Sequence, residues 1–259
     1  MEKPTVVLIP GSFCSAALLW DAVIDDLHDA GYEATAIELR TVSPPSTSPP
    51  RTMTDDAAHI HGVIEALANE GREILIVMSS YGGIPGTQAT QDMTLSQRQS
   101  DGKTGGVMGL VYVSALLINE GESSEDSFAP FVTPQASHSF FKVSGEYLHL
   151  DPVGSAAVIF SGLPKPVGES LTRKMPGHAA GSFREPMTST SHYDIPVTYI
   201  KCTDDRIVLP DHQQKMIDDF KLVSHSTVKV IEVDCGHCPM VERPKETTQA
   251  IIQAARSNA

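Results

Sequence analysis

The sequence contains a serine, an aspartate and a histidine at places where they could act together as a nucleophile and its activating pair. Ser80 follows the apolar run Ile74–Met78, His237 follows the last apolar run, and Asp204 and Asp205 follow the run before that one. A serine hydroxyl is a weak nucleophile until a histidine accepts its proton and a carboxylate fixes the tautomer of that histidine. These residues indicate acyl-transfer chemistry, provided that the fold brings them together.

Six short apolar runs predict the strands that would position these side chains. The runs are nearly continuous and rich in β-branched residues, which is typical of strands buried in a parallel sheet. Helical patterns alternate with them, so the sequence predicts an α/β fold with a mostly parallel, doubly wound six-stranded sheet. Parallel strands end at one edge of a sheet, where the serine, aspartate and histidine turns would converge. The predicted strands are Thr5–Ile9, Ala34–Leu39, Glu73–Met78, Val107–Val113, Val197–Lys201 and Val228–Val233, and the predicted helices are Ala16–Ala30, Thr54–Glu70, Tyr81–Gln91, Pro210–Phe220 and Pro244–Arg256.

The turn that carries Ser80 fits a nucleophile elbow at all but one position. The elbow pattern is Gly-x-Ser-x-Gly, in which a strained strand-to-helix turn presents the serine oxygen above the sheet. Ser80 and Gly82 fill the last two fixed places, whereas Met78 stands where the first glycine is expected. A small residue there lets the strand end and the following helix approach closely, so the fold must accommodate Met78 in some other way.

Further motifs give the chain a resemblance to a known family. The order serine, aspartate, histidine is that of the α/β-hydrolase triad. The stretches Ser80-Tyr-Gly-Gly83, Leu110-Val-Tyr-Val-Ser-Ala115 and Gly236-His-x5-Arg-Pro244 look like the same family. From residue 6 to residue 255 the chain resembles the α/β-hydrolase superfamily, particularly its small serine esterases related to plant methylesterases, hydroxynitrile lyases and their microbial homologues. The resemblance implies an α/β-hydrolase fold with an inserted lid, or cap.

The resemblance also indicates which of the two aspartates is the acid. The family places it three residues after the small residue that closes the strand, here Cys202, so Asp205 is the expected partner of His237. Asp204 would then be a solvated or capping neighbour. It stays the alternative acid, because element boundaries predicted from one sequence err by a few residues.

Acyl transfer also needs hydrogen-bond donors for the charge that develops on the carbonyl oxygen. The backbone N–H of Tyr81, directly after the serine, is one expected donor of this oxyanion hole, and the loop after the first strand supplies the other. By position the second donor is the N–H of Ser12, and Gly11 lets the backbone come close. Pro10 departs from the family, which usually has His-Gly at this point.

The predicted hydrolase core comprises residues 1–115 and 195–259, and residues 116–194 form the predicted lid. The lid sequence shows no regular alternation of strands and helices and is too long for a simple loop. Within it, Ser137–Phe141 and Pro152–Phe160 are predicted as short helices. Leu95–Gly106 is polar and predicted as an exposed excursion, and the proline-rich stretch 42–51 as a stiff surface connection.

The candidates for shaping a substrate pocket are mostly aromatic. For each phenylalanine, packing in the core is at least as good an explanation as contact with a substrate. The histidines of the predicted lid are expected to be mostly solvated, with one or two at the pocket. The pocket candidates are Gly11, Phe13, Met78, Phe128, Phe131, Phe140, Phe141 and Phe160, together with the Tyr81 side chain, and the lid histidines are His138, His149, His178 and His192.

Composition and spacing exclude several classes of partner. Thirty-two acidic and nineteen basic residues give a formal charge of −13, so neither nucleic acid nor an anionic membrane is an expected partner. No histidine or cysteine cluster has metal-ligand spacing, and no metal or cofactor is expected. The apolar run near residue 5 is too short for a signal peptide, which predicts a soluble, cytoplasmic protein. The expected partner is a small-molecule substrate, and the choice between monomer and homodimer stays open.

Four cysteines are too few and too unevenly placed for a disulfide scaffold. Cys235-Gly-His-Cys238 has the spacing of a dithiol redox motif, but it follows a late strand and is itself followed by Pro239. Redox motifs of this kind open a helix after an early strand. No redox role is therefore expected.

The sequence predicts a serine hydrolase that cleaves an ester, thioester or lactone of a small, largely apolar molecule. Two alternatives stay open because fold does not decide function. One is a lyase or cyclase that uses the same triad for acid–base chemistry. The other is a receptor-like binding protein that keeps the triad and grips a ligand with its lid.

Overall fold

The computed structural model describes residues 3–42, 49–131 and 140–258. Six strands form the main sheet: β1 (Thr5–Ile9), β2 (Ala34–Ala36), β3 (Glu73–Ser79), β4 (Gly106–Val113), β8 (Val197–Cys202) and β9 (Val228–Val233). Across the sheet their order is β2-β1-β3-β4-β8-β9, and every neighbouring pair is parallel. The predicted six-stranded doubly wound parallel sheet is confirmed.

Helices cover both faces of this sheet. Successive side chains of a strand point to opposite faces, and in the central strands both sets are apolar. One face packs against α1 (Ala16–Asp29) and α10 (Pro244–Asn258). The other face packs against α2 (Met53–Asn69) and α8 (Pro210–Val223). The two apolar layers fix the sheet, and the carboxyl ends of its strands carry the turns of the candidate site.

The second strand is shorter than predicted, ending at Ala36 rather than Leu39. The N–H of Ile37 still donates to the carbonyl oxygen of Leu8 on β1. Further along, the N–H groups of Arg40 and Thr41 donate instead to the buried carboxylate of Asp56 on α2. The Thr41 hydroxyl donates to the same carboxylate at 2.6 Å. A side chain from a helix thus replaces the neighbouring strand as hydrogen-bond partner.

The polar stretch Leu95–Gly106 is largely exposed, as its composition predicts, but it begins with a helix and contains one buried charge. Its first part is helix α4 (Leu95–Ser100), and the strand β4 begins at Gly106. Arg98 is 3% exposed, and its guanidinium donates to the carbonyl oxygens of Gly105 and Thr104 and to the side chain of Asn69. Backbone carbonyls satisfy the buried charge, an arrangement that composition alone does not show.

The segment between β4 and β8 contains a second, antiparallel sheet that the sequence did not predict. Its order is β5-β6-β7, and the segment also contains helices α5, α6 and α7. The predicted helix at Pro152–Phe160 is confirmed as α6. The predicted helix at Ser137–Phe141 is wrong at its end, because Phe141 opens β5, and positions 137–139 lie outside the described residues. The bounds are α5 (Ser124–Phe128), β5 (Phe141–Ser144), β6 (Tyr147–Leu150), α6 (Pro152–Ile159), α7 (Lys165–Thr172) and β7 (His178–Ala179).

Two histidines of this segment are buried, contrary to the expectation that they are solvated. The side chains of His178 and His192 have no exposed surface. His178 Nε2 lies 2.9 Å from the hydroxyl oxygen of Ser182, and His192 Nε2 lies 3.2 Å from the carbonyl oxygen of Ile118. Burial lowers the pKa of His178 to about 3 and that of His192 to about 4, because the apolar surroundings disfavour the imidazolium.

Met78 fits at the end of β3 because a glycine faces it from the following helix. Gly86 lies in α3 (Gly83–Gln88), and a Cβ placed on it would lie 2.6 Å from Met78 Sδ and 2.9 Å from Ile9 Cδ1. The small residue missing from the elbow pattern is therefore supplied eight positions later, on the opposite side of the contact. The chain therefore departs from the pattern Gly-x-Ser-x-Gly while β3 and α3 stay in close contact.

We predict that the effect of Gly86→Ala on stability changes sign with residue 78. In the natural chain the added methyl should lower the free energy of unfolding by about 1–3 kcal/mol through overpacking. In a Met78→Ala background the contacts with the Met78 side chain are gone, and the terminal methyl of Ile9, 2.9 Å from the added Cβ, can move into the space that they leave. The helix propensity of alanine should then raise stability by about 0.5–1 kcal/mol. Urea unfolding of the four proteins measures this.

Gly62→Ala is the matched control for the Gly86 series. Gly62 is also helical, and a Cβ on it meets no atom within 4 Å. It should gain stability in both backgrounds. Equal effects of Gly86→Ala with Met78 and with Ala at position 78 would show that the two positions are not coupled.

We also predict that the buried histidines make the protein lose stability in mild acid. A folded pKa below the unfolded value of about 6.5 gives stability that is complete above pH 6.5 and is lost as the pH falls towards 4. Each such histidine contributes about 1.4 kcal/mol per pH unit. Burial raises the pKa of Asp56 to about 6, so Asp56 acts oppositely, its contribution being lost as the pH rises from about 4 to 6.

The difference in stability between the natural protein and His192→Gln isolates the contribution of His192, because Asp56 is present in both proteins. Between pH 6.5 and 4.5 the variant should bind about one proton fewer in the unfolded state, and its free energy of unfolding should depend less steeply on pH. Urea titrations at half-unit pH intervals test this. Identical pH slopes for the two proteins would contradict it.

Candidate active site

The backbone at Ser80 has the strained geometry of a nucleophile elbow. Ser80 has φ +52° and is the first residue of the short 3-10 turn Ser80–Gly82, which directly follows β3. This left-handed conformation is uncommon for a residue with a side chain and is typical of functional turns. Gly82 permits the turn, since a Cβ there would lie 2.4 Å from the carbonyl oxygen of Pro10. The turn directs the serine into the cavity described below.

The loop after β1 lies directly against Ser80. A Cβ on Gly11 would lie 2.8 Å from Ser80 Cβ, so only glycine fits there without a shift. Ser12 follows Gly11 and lines the same cavity as Ser80. The two expected donors, the N–H groups of Ser12 and Tyr81, thus belong to residues on either side of this close contact.

A buried aspartate and a histidine form a hydrogen-bonded pair at the same edge of the sheet. The carboxylate of Asp205 lies 2.9 Å (Oδ2) and 3.1 Å (Oδ1) from Nδ1 of His237, and the two residues are 2% and 6% exposed. The N–H groups of Ile207 and Val208 donate to Oδ1, and the side chain of Gln213 donates to Oδ2. These donors hold the carboxylate in one orientation, and its contact with Nδ1 leaves Nε2 as the nitrogen available to a substrate or nucleophile.

Asp204 points elsewhere. Its side chain is 60% exposed and forms an ion pair of 3.6 Å with Arg206. Of the two neighbouring aspartates, only Asp205 contacts the histidine.

The loop that carries His237 is held by a second buried carboxylate. Glu242, at the end of α9 (Pro239–Glu242), is 8% exposed and accepts the N–H of Gly236 at 2.9 Å and the N–H of Gly162 at 3.3 Å. A Cβ on Gly236 would lie 2.4 Å from the hydroxyl oxygen of Ser161. The histidine loop is therefore packed against the connection between α6 and α7.

Ser80 and His237 line one small cavity of about 80 Å³. Its wall is mostly apolar, and among the described residues no lysine, arginine or carboxylate lines it. No hydrogen bond joins Ser80 Oγ to His237 in the part of the chain that the structure describes, which is common in unliganded sites. The lining residues are Gly11, Ser12, Phe13, Cys14, Leu19, Ser79, Ser80, Phe140, Phe141, Leu150, Ser155, Val158, Ile159, Met175, Ile207, His237 and Cys238.

The pocket candidates from the sequence divide into two groups. Gly11, Phe13, Phe140 and Phe141 line the cavity, whereas Met78, Phe128, Phe131 and Phe160 do not. Met78 and Phe160 are buried in the two layers beside the sheet. Phe128 and Phe131 pack against the ring of His212 on α8, with centroids 5.2 Å and 4.2 Å away.

The Tyr81 side chain also points away from the cavity. Its hydroxyl group lies 3.4 Å from Asp56 Oδ2, and its ring packs against His178. Only the backbone of Tyr81 is therefore available to the site.

Sequence reasoning missed the wall that α6 contributes. Ser155, Val158 and Ile159 line the cavity and have the spacing i, i+3, i+4 of one helix face. That spacing was visible in the predicted helix and could have identified the wall. Leu150 and Met175, from the same segment, carry no such signal.

The cysteines form buried thiols rather than a dithiol motif. Cys235 lies beside Cys202, with sulfur atoms 3.4 Å apart, and all four thiols are free. Burial raises the pKa of Cys14 to about 12, and burial also raises the pKa of Cys238. Thiols in such surroundings are rarely ionised, and the thiolate is the reactive form.

No group of three or more histidine, cysteine, aspartate or glutamate side chains among residues 3–42, 49–131 and 140–258 is arranged to hold a metal ion. No helix in the same part of the chain is long and apolar enough to cross a membrane.

Known proteins are similar to this chain in sequence and in fold. Residues 6–250 match the Alpha/beta hydrolase family. The "Probable hydrolase R7" of Phoma sp. (strain ATCC 20986 / MF5453) is 32% identical over 255 residues, which cover 98% of this chain and 99% of that protein. The structure of a pyrethroid hydrolase superposes with a TM-score of 0.75 at 21% identity, covering 99% of this chain and 98% of that one. Polyneuridine aldehyde esterase superposes with a TM-score of 0.75 at 16% identity, covering 97% and 99%. The chain belongs to the alpha/beta hydrolase family.

Proposed function

We propose that this protein is a serine hydrolase that cleaves an ester, thioester or lactone of a small, largely apolar molecule. The observation that carries the proposal is the buried pair Asp205–His237, which meets the cavity that also holds the strained Ser80. Membership of the alpha/beta hydrolase family supports it. So does the fold shared with polyneuridine aldehyde esterase, which is by name an esterase.

In the proposed mechanism His237 Nε2 accepts the hydroxyl proton of Ser80 while Ser80 Oγ attacks the carbonyl carbon. The backbone N–H groups of Ser12 and Tyr81 donate to the oxyanion of the tetrahedral intermediate. When the intermediate collapses, the alcohol or thiol leaves with the proton from His237, and the acyl group stays on Ser80. His237 then deprotonates a water molecule, which releases the acid and restores the serine. Asp205 holds the required tautomer and stabilises the imidazolium.

The apolar wall supports the proposed substrate class. A carboxylate or phosphate group entering the cavity would lose its water without meeting a lysine or arginine, which costs several kcal/mol. The cavity is also smaller than the ligand pockets of about 300–1,000 Å³ found in most binding sites. We therefore propose that residues 116–194 act as a lid and move when substrate enters, since Phe141, Leu150 and α6 belong to that segment.

We predict that a fluorophosphonate modifies one residue, Ser80. Intact mass spectrometry of the treated protein should show a single adduct, because a phosphonyl group requires both an activated serine and an oxyanion hole. Ser80→Ala should abolish the adduct. Ser79→Ala is the matched control, since Ser79 is also buried and lines the same cavity, and it should keep the adduct. An unmodified natural protein would instead favour the lyase or receptor alternatives.

We predict that Asp205→Asn and Asp204→Asn differ strongly in turnover of a neutral aryl ester. The asparagine at 205 favours the wrong tautomer of His237 and should lower kcat by about 10³–10⁴-fold. The same change at the exposed Asp204 should alter kcat less than about threefold. Steady-state kinetics of the two variants measure this, and a larger loss in Asp204→Asn would exclude Asp205 as the acid.

A further inference from the structure

A cluster of four rings lies behind the candidate oxyanion hole. His178 packs against Phe13 and Tyr81, with ring centroids 5.4 Å and 4.9 Å away. Phe183 closes the cluster, lying 4.6 Å from His178, 5.3 Å from Tyr81 and 6.2 Å from Phe13. Phe13 directly follows Ser12, and Tyr81 directly follows Ser80. The rings of His178 and Phe183 thus touch Phe13, which follows one candidate donor residue, Ser12, and Tyr81, which carries the other candidate donor.

The position of His178 is fixed by its own hydrogen bonds. Its Nε2 lies 2.9 Å from the hydroxyl oxygen of Ser182, and that hydroxyl donates to the carbonyl oxygen of Ala179 at 2.8 Å. The N–H of Ala179 donates to the carbonyl oxygen of Thr41, and His178 itself pairs with Val42 in an antiparallel bridge. His178 is therefore tied to the core of the protein and does not depend on contacts within its own segment alone.

The backbone of Phe13, against which the cluster packs, has a strained conformation. Phe13 has φ +63°, an uncommon conformation for a residue with a side chain. Strained residues of this kind persist only where their surroundings hold them. The ring of Phe13 is 4% exposed and is packed between His178 and Phe141, whose ring centroid lies 5.6 Å away.

We propose that His178 is a positioning residue for the oxyanion hole: its ring, held by Ser182, packs between Phe13 and Tyr81 and sets the distance between the two donor loops. This inference rests on the proposed function, because an oxyanion hole matters only if Ser80 attacks a carbonyl group. His178 does not line the cavity and acts through its two ring contacts.

The test compares His178→Ala and His178→Phe with the natural protein. Displacement of a donor by a fraction of an ångström should lower kcat of a 4-nitrophenyl ester by about 10–100-fold in His178→Ala, with KM changed less than about threefold. Inhibition by an aryl trifluoromethyl ketone, which adds Ser80 Oγ to its carbonyl and leaves the negative oxygen in the hole, should weaken by a similar factor. His178→Phe keeps a ring of similar size and should retain most of kcat.

His192→Ala is the matched control. His192 is equally buried in the same segment and packs against Tyr193 and Phe220, away from the donor loops. It should lose stability in urea while kcat and ketone inhibition stay within about threefold of the natural protein. If His178→Ala does not fold, Phe183→Ala takes its place, since Phe183 contacts Phe13, Tyr81 and His178 itself.

The outcomes separate this inference from the proposed function. A natural protein that neither reacts with the fluorophosphonate nor hydrolyses the ester overturns both. A natural protein that does so, with His178→Ala and Phe183→Ala equally active and equally inhibited by the ketone, overturns only the positioning role. A loss in His178→Phe as large as that in His178→Ala would also overturn it, because ring packing would then not be what matters.

Discussion

The left-handed backbone of Ser80 is the constraint on which the rest of the site depends. A strand that ends in such a turn must let neighbouring backbone approach closely, and the surrounding residues meet that need with missing side chains. Gly11, Gly82 and Gly83 each stand where a Cβ would lie within 3 Å of another atom. The carbonyl oxygen of Ser80 accepts the N–H of Leu116 at 3.0 Å, so the turn is also bonded to the segment that follows β4. The backbone strain at Ser80 is thus offset by close packing of the residues around it.

Among the described residues, three buried carboxylates are held without contacts from lysine or arginine side chains. Asp56, Asp205 and Glu242 are each held mainly by backbone N–H groups, with an amide, a hydroxyl or an imidazole as further partners. Directed N–H donors fix a carboxylate in one orientation, whereas a single mobile cation would not. This use of acidic groups is consistent with a chain whose formal charge is −13. Each of the three carboxylates lies where a loop has to be held at a strand end.

The sequence predicted the sheet and the order of the reactive residues well, because both follow from local patterns. Continuous apolar runs located the six strands, and the turns after three of them located Ser80, the pair Asp204 and Asp205, and His237. The family resemblance then favoured Asp205 over Asp204. The rest depended on contacts that a pattern does not contain. Composition described Arg98 as polar, but nearby carbonyl groups allow it to be buried. The histidines at 178 and 192 are buried for the same kind of reason, and the short hairpin β5–β6 has too few residues for its alternation to be recognised.

Met78 shows that a sequence motif, too, does not contain every contact that the fold can use. A departure from Gly-x-Ser-x-Gly looked like a weakness of the elbow, yet the contact that the missing glycine would have served is preserved by Gly86. A motif records one of several ways to satisfy a steric requirement. The requirement itself, a close approach of strand and helix, is what the fold retains.

The cavity wall formed by α6 shapes the cavity with residues other than Ser80, Asp205 and His237. Ser155, Val158 and Ile159 lie on a helix that contributes nothing to the main sheet and contains neither Ser80, Asp205 nor His237. Exchanges on this face would change the shape offered to a ligand while leaving Ser80, Asp205 and His237 where they are. Selectivity in this protein can therefore evolve, or be engineered, one helix face at a time, with little cost to the chemistry beneath it.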